Sequence, residues 1–252
     1  MTAFRRFGWD SPEYSDAFGC LLRCSDERAH LVPVLERQLD GVSAAAAALD
    51  WGAGIGDLTR LLARRCPTTF AVEPSASMRA VLRRRLPGVA LLEGDVRTAT
   101  PPVPIDFALL AHVLYHLPDR EWLALVARIL GTVRLGGRLT VVMKSGPSGC
   151  RDMLEQFGAQ GFDLERRLEP LAAAPLVASV RRATLTATIA TASYAETEQI
   201  ARFMMCDRLP GEFAAPPQEE AFVDYVRGRL WDEGRGRGGW RYQVSIWTVE
   251  RG

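Results

Sequence analysis

AAAAALDWGAGIGDLTRLLA, residues 44–63, decides the fold. Its apolar start reads as a short strand, Asp50-Trp51-Gly52-Ala53-Gly54-Ile55-Gly56 as a glycine-rich turn, and the rest as a helix with apolar residues on one face. The same alternation repeats downstream: TTFAVEP (68–74) reads as a strand, SASMRAVLRRRL (75–86) as a helix, and GVALLEGDV (88–96) as a third strand ending at Asp95. IDFALLAHVL (105–114) gives a fourth strand, DREWLALVARILGTV (119–133) a helix closed by Gly136-Gly137, and RLTVVMK (138–144) a fifth strand. Strands and helices alternating at short intervals imply a parallel, doubly wound sheet with helices on both faces.

The alternation breaks beyond Lys144. Ser148 to Phe157 reads as a helix, RRATLTATIATAS (181–193) as a β-branched strand, YAETEQIARFMM (194–205) and EEAFVDYVRGRL (219–230) as helices, and WRYQVSIWTVE (240–250) as a final strand. GRGRGG before Trp240 reads as a flexible connection. Upstream, residues 11–39 read as two helices, with Tyr14, Phe18, Leu21 and Leu22 on one and Leu31, Val34, Leu35 and Leu39 on the other. Ser25-Asp26-Glu27 marks the second start, with Ser25 as its cap.

A chain of 252 residues, 48% hydrophobic and 24% charged, can bury a full core, which excludes disordered and disulfide-stapled classes. With 31 basic against 30 acidic residues, the net charge of +1 provides no field for a polyanion, so nucleic acid is not the expected partner. No apolar run reaches the roughly 18 to 20 residues of a membrane span and the start lacks a signal-peptide pattern, so the expected home is the cytoplasm. Cys20, Cys24, Cys66, Cys150 and Cys206 form no C-x-x-C and read as buried free thiols, with no metal expected. His112 and His116 lie four apart but leave a strand with no third ligand in view. Lys144 is the only lysine.

Ligands of open α/β sheets bind beyond the carboxyl ends of the strands, which puts the Gly52–Gly56 turn first. Glu73, about 20 residues on, ends the second strand, where a carboxylate accepts both ribose hydroxyls. Asp95 ends the third, where a carboxylate accepts from an adenine amino group. His112 to His116 leave the fourth at the same edge. Together they indicate a nucleoside ligand. A dehydrogenase fingerprint is disfavoured, because Asp57 stands where its third glycine belongs.

Over Leu49 to Met143 these features resemble, in order and kind, the class I S-adenosylmethionine (SAM) dependent methyltransferases. The resemblance implies a mostly parallel seven-stranded sheet and SAM as cofactor, with S-adenosylhomocysteine as product. It implies cofactor contacts from Gly52, Ala53, Gly54, Glu73, Pro74, Met78, Asp95, Val96 and His112. It further implies a single domain over 1–252, with a helical cap at 1–40, a SAM-binding core at 44–143, and insertion helices over the pocket plus the last two strands at 144–252.

Several blocks extend a narrower resemblance, to the histamine N-methyltransferase family, along nearly the whole chain. They are Tyr14 with Phe18 and Ser25-x-Glu27, Glu73-Pro74-Ser75-Ala76, Leu114-Tyr115, and Ser145-Gly146-x-Ser148-Gly149. The resemblance implies that Glu27 bonds an imidazole or amine and that Tyr14, Phe18 and Tyr115 line the acceptor's walls. Four positions depart from the family: His112 replaces a glutamine, Lys144 a valine, Cys150 a tryptophan and Tyr242 an asparagine. These positions, with His116, face the acceptor, so histamine itself is not carried over. Read without the resemblance, Tyr14 and Phe18 are core aromatics, Glu27 a first-turn acid, and Tyr242 a residue packed on the sheet.

The expected reaction is therefore methyl transfer from SAM to a nitrogen of a small amine, imidazole or amino-acid-like metabolite, with Glu27, His112 and Tyr115 as the reacting groups. Lys144 is expected to pair with a substrate carboxylate or a neighbouring acid. Two alternatives share the fold: an enzyme that cyclises the SAM side chain to a cyclic amino acid, and a non-catalytic SAM-binding protein. The sequence leaves oligomeric state open, a monomer being compatible.

Overall fold

Strand β1 (Ala47–Trp51) is buried along its whole length and pairs in parallel with β2 (Thr68–Val72) on one side and β4 (Ile105–Ala111) on the other. Burial on both faces explains why it reads as an apolar run, broken only by Asp50, instead of alternating. In this computed structural model residues 2–43, 45–208, 210–214 and 217–252 are described. Ala44, where the strand is expected to begin, lies outside them. The chain divides into two compact units, and each is taken by itself.

One unit comprises Leu31–Met143, Leu164–Thr184 and Ser245–Gly252. Here helix α3 (Asp57–Arg65) follows β1, helix α4 (Ala76–Arg85) follows β2, and β3 (Ala90–Leu92) pairs in parallel with β2. Helix α5 (Trp122–Thr132) joins β4 to its parallel neighbour β5 (Val133–Ser148). With β6 (Val177–Thr191) and β8 (Arg237–Arg251) the strand order is β3-β2-β1-β4-β5-β8-β6, a path of seven strands as the resemblance implies. The order reverses at β1/β4, so the carboxyl ends of β1 and β4 flank the crevice of a doubly wound fold. Thr59 donates to the buried Asp50 carboxylate at 2.7 Å, tying α3 to β1. Helix α7 (Leu164–Leu168) is one turn, too short to leave a periodicity, and goes unread in the sequence.

The other unit comprises Met1–His30, Lys144–Asp163 and Leu185–Val244. It holds α1 (Pro12–Cys24), the start of α2 (Glu27–Leu39), α6 (Gly149–Gln156), α8 (Tyr194–Cys206) and α9 (Glu219–Tyr225). Ser11 caps α1 by accepting from the Tyr14 amide at 3.2 Å, with Pro12 in the first turn. Ser25 accepts from the Glu27 amide at 3.1 Å, so it ties down the start of α2 from two residues upstream. A short strand β7 (Trp231–Asp232), absent from the sequence reading, pairs antiparallel with β8 through Trp231 to Gly238 and Asp232 to Arg237. GRGRGG is therefore the turn and first rungs of a hairpin. Its glycine-rich composition reads as slack, but the strand pairing closes it. Among the described residues no helix is long and apolar enough to cross a membrane.

Candidate active site

The β1 turn has the backbone that its sequence calls for. Gly52, Gly54 and Gly56 take φ of 84°, 55° and 89°, the left-handed region that side chains resist. A Cβ on Gly52 would stand 2.3 Å from Val113 Cγ2, so the strand end and the β4 loop approach through a gap that only glycine leaves. The Gly52 and Ala53 amides both donate to the Val72 carbonyl, at 2.8 and 2.9 Å, binding the turn to the end of β2.

Glu73, the next residue, is buried and held in a fixed plane. Its Oε2 accepts from the Gly54 amide at 2.7 Å and its Oε1 from the Ser75 amide at 2.8 Å. Each is a charge-assisted bond, shorter and stronger than a neutral one. Ser75 in turn caps α4 by accepting from the Met78 amide. Met78 is buried on that first turn, while Pro74 is exposed. Sequence reading places Glu73 by its spacing but gives no hint of Ser75 as its anchor.

Asp95 lies beyond β3, which ends at Leu92, not at Asp95. Its Oδ1 accepts from the Arg97 and Thr98 amides at 2.8 and 3.1 Å, the closed turn of an aspartate capping its own backbone. Val96 beside it is buried. The strand stops early because Gly94, at φ 97°, turns the chain.

At the end of β4, His112 has φ 58°, the one non-glycine with positive φ among the described residues. Such strain persists only where the surroundings fix it, and it concentrates at functional sites. The His112 amide donates to Val142 O at 2.8 Å, and its Nδ1 lies 3.1 Å from the Tyr115 hydroxyl with the rings nearly parallel. Tyr115 is buried on a single 3₁₀ turn, Leu114–His116, which leaves His116 exposed. All the expected cofactor contacts thus fall within one unit.

The remaining expected acceptor residues belong to the other unit. Tyr14 and Phe18 of α1 pack on Phe203 of α8 with ring centroids 4.8 and 6.0 Å apart, and Tyr14 is buried, as core aromatics are. Glu27 is buried, and its Oε2 accepts from the Tyr242 hydroxyl at 2.9 Å. That hydroxyl also meets Ser25 Oγ at 2.7 Å, so Tyr242 does more than pack. Burial and the neighbouring Glu27 carboxylate push the Tyr242 phenol well above its ordinary value, so it stays a donor.

Lys144 is buried, contrary to the usual fate of a lysine at a strand end. Its Nζ is 2.6 Å from Asp207 Oδ2 and also meets Met204 Sδ. Burial works against the ammonium, but Asp207, Cys150 and Glu27 together outweigh it, and the pKa stands above the ordinary lysine value. Of the two partners expected for Lys144, a substrate carboxylate or a neighbouring acid, the structure holds the neighbouring acid. Asp207 follows an apolar helix and belongs to no motif, so only the fold reveals it. Cys150 is buried, and burial pushes its thiol up to about 11 despite Lys144.

Residues 48–137 match the methyltransferase-domain family. The chain is 28% identical over 131 residues, 49% of its length, to an uncharacterized methyltransferase of Oceanobacillus iheyensis, covering 62% of that protein. It is 34% identical over 137 residues, 54% of its length, to trans-aconitate 2-methyltransferase of Methylobacterium nodulans, covering 49% of that protein. It thus spans less than two thirds of either relative. Among solved structures it is similar to the YcgJ protein of Bacillus subtilis, with a TM-score of 0.61 at 17% identity, over 88% of this chain and 99% of that one. The fold is that of the class I methyltransferases, and residues 48–137 match a methyltransferase domain. These matches support the methyltransferase core and leave the histamine N-methyltransferase resemblance without support.

Proposed function

We propose that this chain transfers the methyl group of SAM to a nitrogen of a small amine, imidazole or amino-acid-like metabolite. The observation that carries the SAM half is the Glu73 carboxylate, fixed by the Gly54 and Ser75 amides beside a turn with three left-handed glycines. This geometry fits the cofactor. A rigid buried carboxylate suits a ribose diol, and a turn without Cβ atoms lets a methionine moiety lie against backbone. Pro74, Met78 and Val96 supply apolar walls for the adenine, and Asp95, already oriented by its own turn, accepts from the amino group.

When bound, SAM would supply a sulfonium methyl open to attack by an acceptor lone pair, the S–CH₃ bond breaking and S-adenosylhomocysteine leaving. A sulfonium is electrophilic enough that the chain's task is to align the acceptor and exclude water. His112, strained and paired with Tyr115 at the β4 end, takes the proton that a protonated acceptor must lose. Tyr115 and His116 follow it on the next turn. In the other unit Glu27, held by Tyr242, is suited to accept from an amine N–H. By its chemistry the named acid of the Methylobacterium relative raises a carboxylate oxygen as the competing acceptor.

The test is incubation with methyl-labelled SAM and a metabolite extract, with products identified by mass spectrometry. Label on the nitrogen of a small metabolite is the expected result. Label on a carboxylate oxygen would overturn the nitrogen reading, and no transfer to any metabolite would overturn the proposal as a whole.

A further inference from the structure

Cys20 and Cys24 are four residues apart on α1, so both sulfurs fall on one helix face. Sequence reading sets them aside because they form no C-x-x-C. The fold adds the missing partner: the Glu196 carboxylate of α8 joins them, and the three ligand atoms all lie within 4.8 Å of one another. It is the one such group of three or more metal-ligating side chains among the described residues. Cys20 is buried, whereas Cys24 and Glu196 are half-buried, which leaves a route in from solvent. Glu196 is also held in place. Its Oε2 accepts from the Ala192 amide at 3.0 Å while Ser193 accepts from the Glu196 amide at 3.2 Å, a capping arrangement that fixes the carboxylate at the α8 start. A capping role alone explains the carboxylate but not two thiols gathered around it.

We propose that Cys20, Cys24 and Glu196 form a binding site for a thiophilic divalent cation, zinc in the first place, distinct from the proposed methyl-transfer site. Two sulfurs and one carboxylate oxygen suit zinc, whose bonds of about 2.3 Å to sulfur and about 2.0 to 2.2 Å to oxygen bring such ligands closer together than 4.8 Å. Modest rotamer changes would close the cluster. Three protein ligands leave the fourth tetrahedral position to solvent, the pattern of an exchangeable site instead of a closed structural one. On binding, each thiol gives its proton to solvent and a sulfur–metal bond forms, with no change of oxidation state. The site bridges α1 and α8, so the cation staples two helices of one unit.

The test is titration of the reduced 252-residue chain with zinc, and with cadmium as an optical probe of thiolate bonds. One cation per chain is expected, with a thiolate–cadmium charge-transfer band. Zinc at a hundredfold excess over its Kd should raise Tm by about 5 to 10 °C. Cys24→Ser, at a half-buried position, should remove the band and the Tm shift while leaving the metal-free Tm near that of the parent. Glu196→Gln, which can still cap, should weaken binding about tenfold or more while keeping the band. Cys66→Ser should change neither. No stoichiometric binding by the parent chain, or a band and Tm shift that survive in Cys24→Ser and in Cys20→Ser/Cys24→Ser, would overturn the proposal.

Discussion

Replacing Lys144 by methionine tests whether its charge belongs to the chain's own architecture. The ammonium and the Asp207 carboxylate are 2.6 Å apart, with side chains only 8% and 3% exposed. A pair this deeply buried is costly to break one-sidedly, because the survivor keeps its desolvation penalty and loses its attraction. About 3 to 5 kcal/mol is the expected loss for Lys144→Met. For a chain of this size that corresponds to a fall in Tm of about 6 to 20 °C. Lys144→Met/Asp207→Asn removes both charges and should recover part of the loss, giving a coupling energy of about 2 kcal/mol or more. The sign of the pH dependence follows from the raised lysine pKa. Between the unfolded value, about 10.4, and the higher folded value, the native state holds a proton that the unfolded state has released. The pair's contribution is therefore intact from neutral pH to about 10 and lost as pH rises through the folded value. The assay is guanidinium unfolding followed by circular dichroism at pH 7 and at pH 11. A single variant within 1 kcal/mol of the parent, or a double variant whose loss equals the sum of the singles, would refute the reasoning.

Glu73→Gln cannot accept from both the Gly54 and Ser75 amides, because its NH₂ faces one of the donors. SAM affinity should fall about 10- to 100-fold by titration calorimetry, and an unchanged affinity would remove Glu73 from the ribose. Gly52→Ala places a methyl against Val113 in a left-handed backbone. It should cost about 1 to 3 kcal/mol of stability, whereas Gly88→Ala, with open space around it, should be near neutral. Equal denaturation midpoints for the two would count against the strained turn. Tyr242→Phe strips Glu27 of its hydroxyl donor and should cost about 1 to 3 kcal/mol in thermal unfolding. Once an acceptor is known, the same variant should raise KM or lower kcat, and parent-like stability with parent-like kinetics would show that the bond matters to neither.

Much of the nucleotide half was legible because local rules govern it. Glycines at 52, 54 and 56 call for positive φ, which all three adopt, and short apolar runs between helices call for buried parallel strands. The errors fall where a turn or a side-chain hydrogen bond redirects a segment against its apolar pattern. Asp95 reads as a strand end, yet Gly94 turns the chain after Leu92 and the carboxylate closes its own turn. GRGRGG reads as a slack connection, yet pairing of Trp231 with Gly238 makes it a hairpin. Ser25 marks a helix start correctly but acts from one position further upstream than a cap, bonding Glu27 as well as Tyr242. The partners of Lys144, Glu73 and the Cys20–Cys24 pair come from 63, 2 and 172 residues away in sequence. Spacing predicts which residues share a face of one element. It carries no information on which distant residue that face will meet, and Asp207 and Glu196 are therefore absent from any reading of motifs.

The Gly52–Gly56 turn and Glu73 are the proposed SAM site. The decisive test is calorimetric titration of SAM into the 252-residue chain. Saturable binding of one SAM per chain is expected, displaced by S-adenosylhomocysteine and unaffected by NAD. Absence of saturable heat, or NAD binding as tightly as SAM, would contradict it.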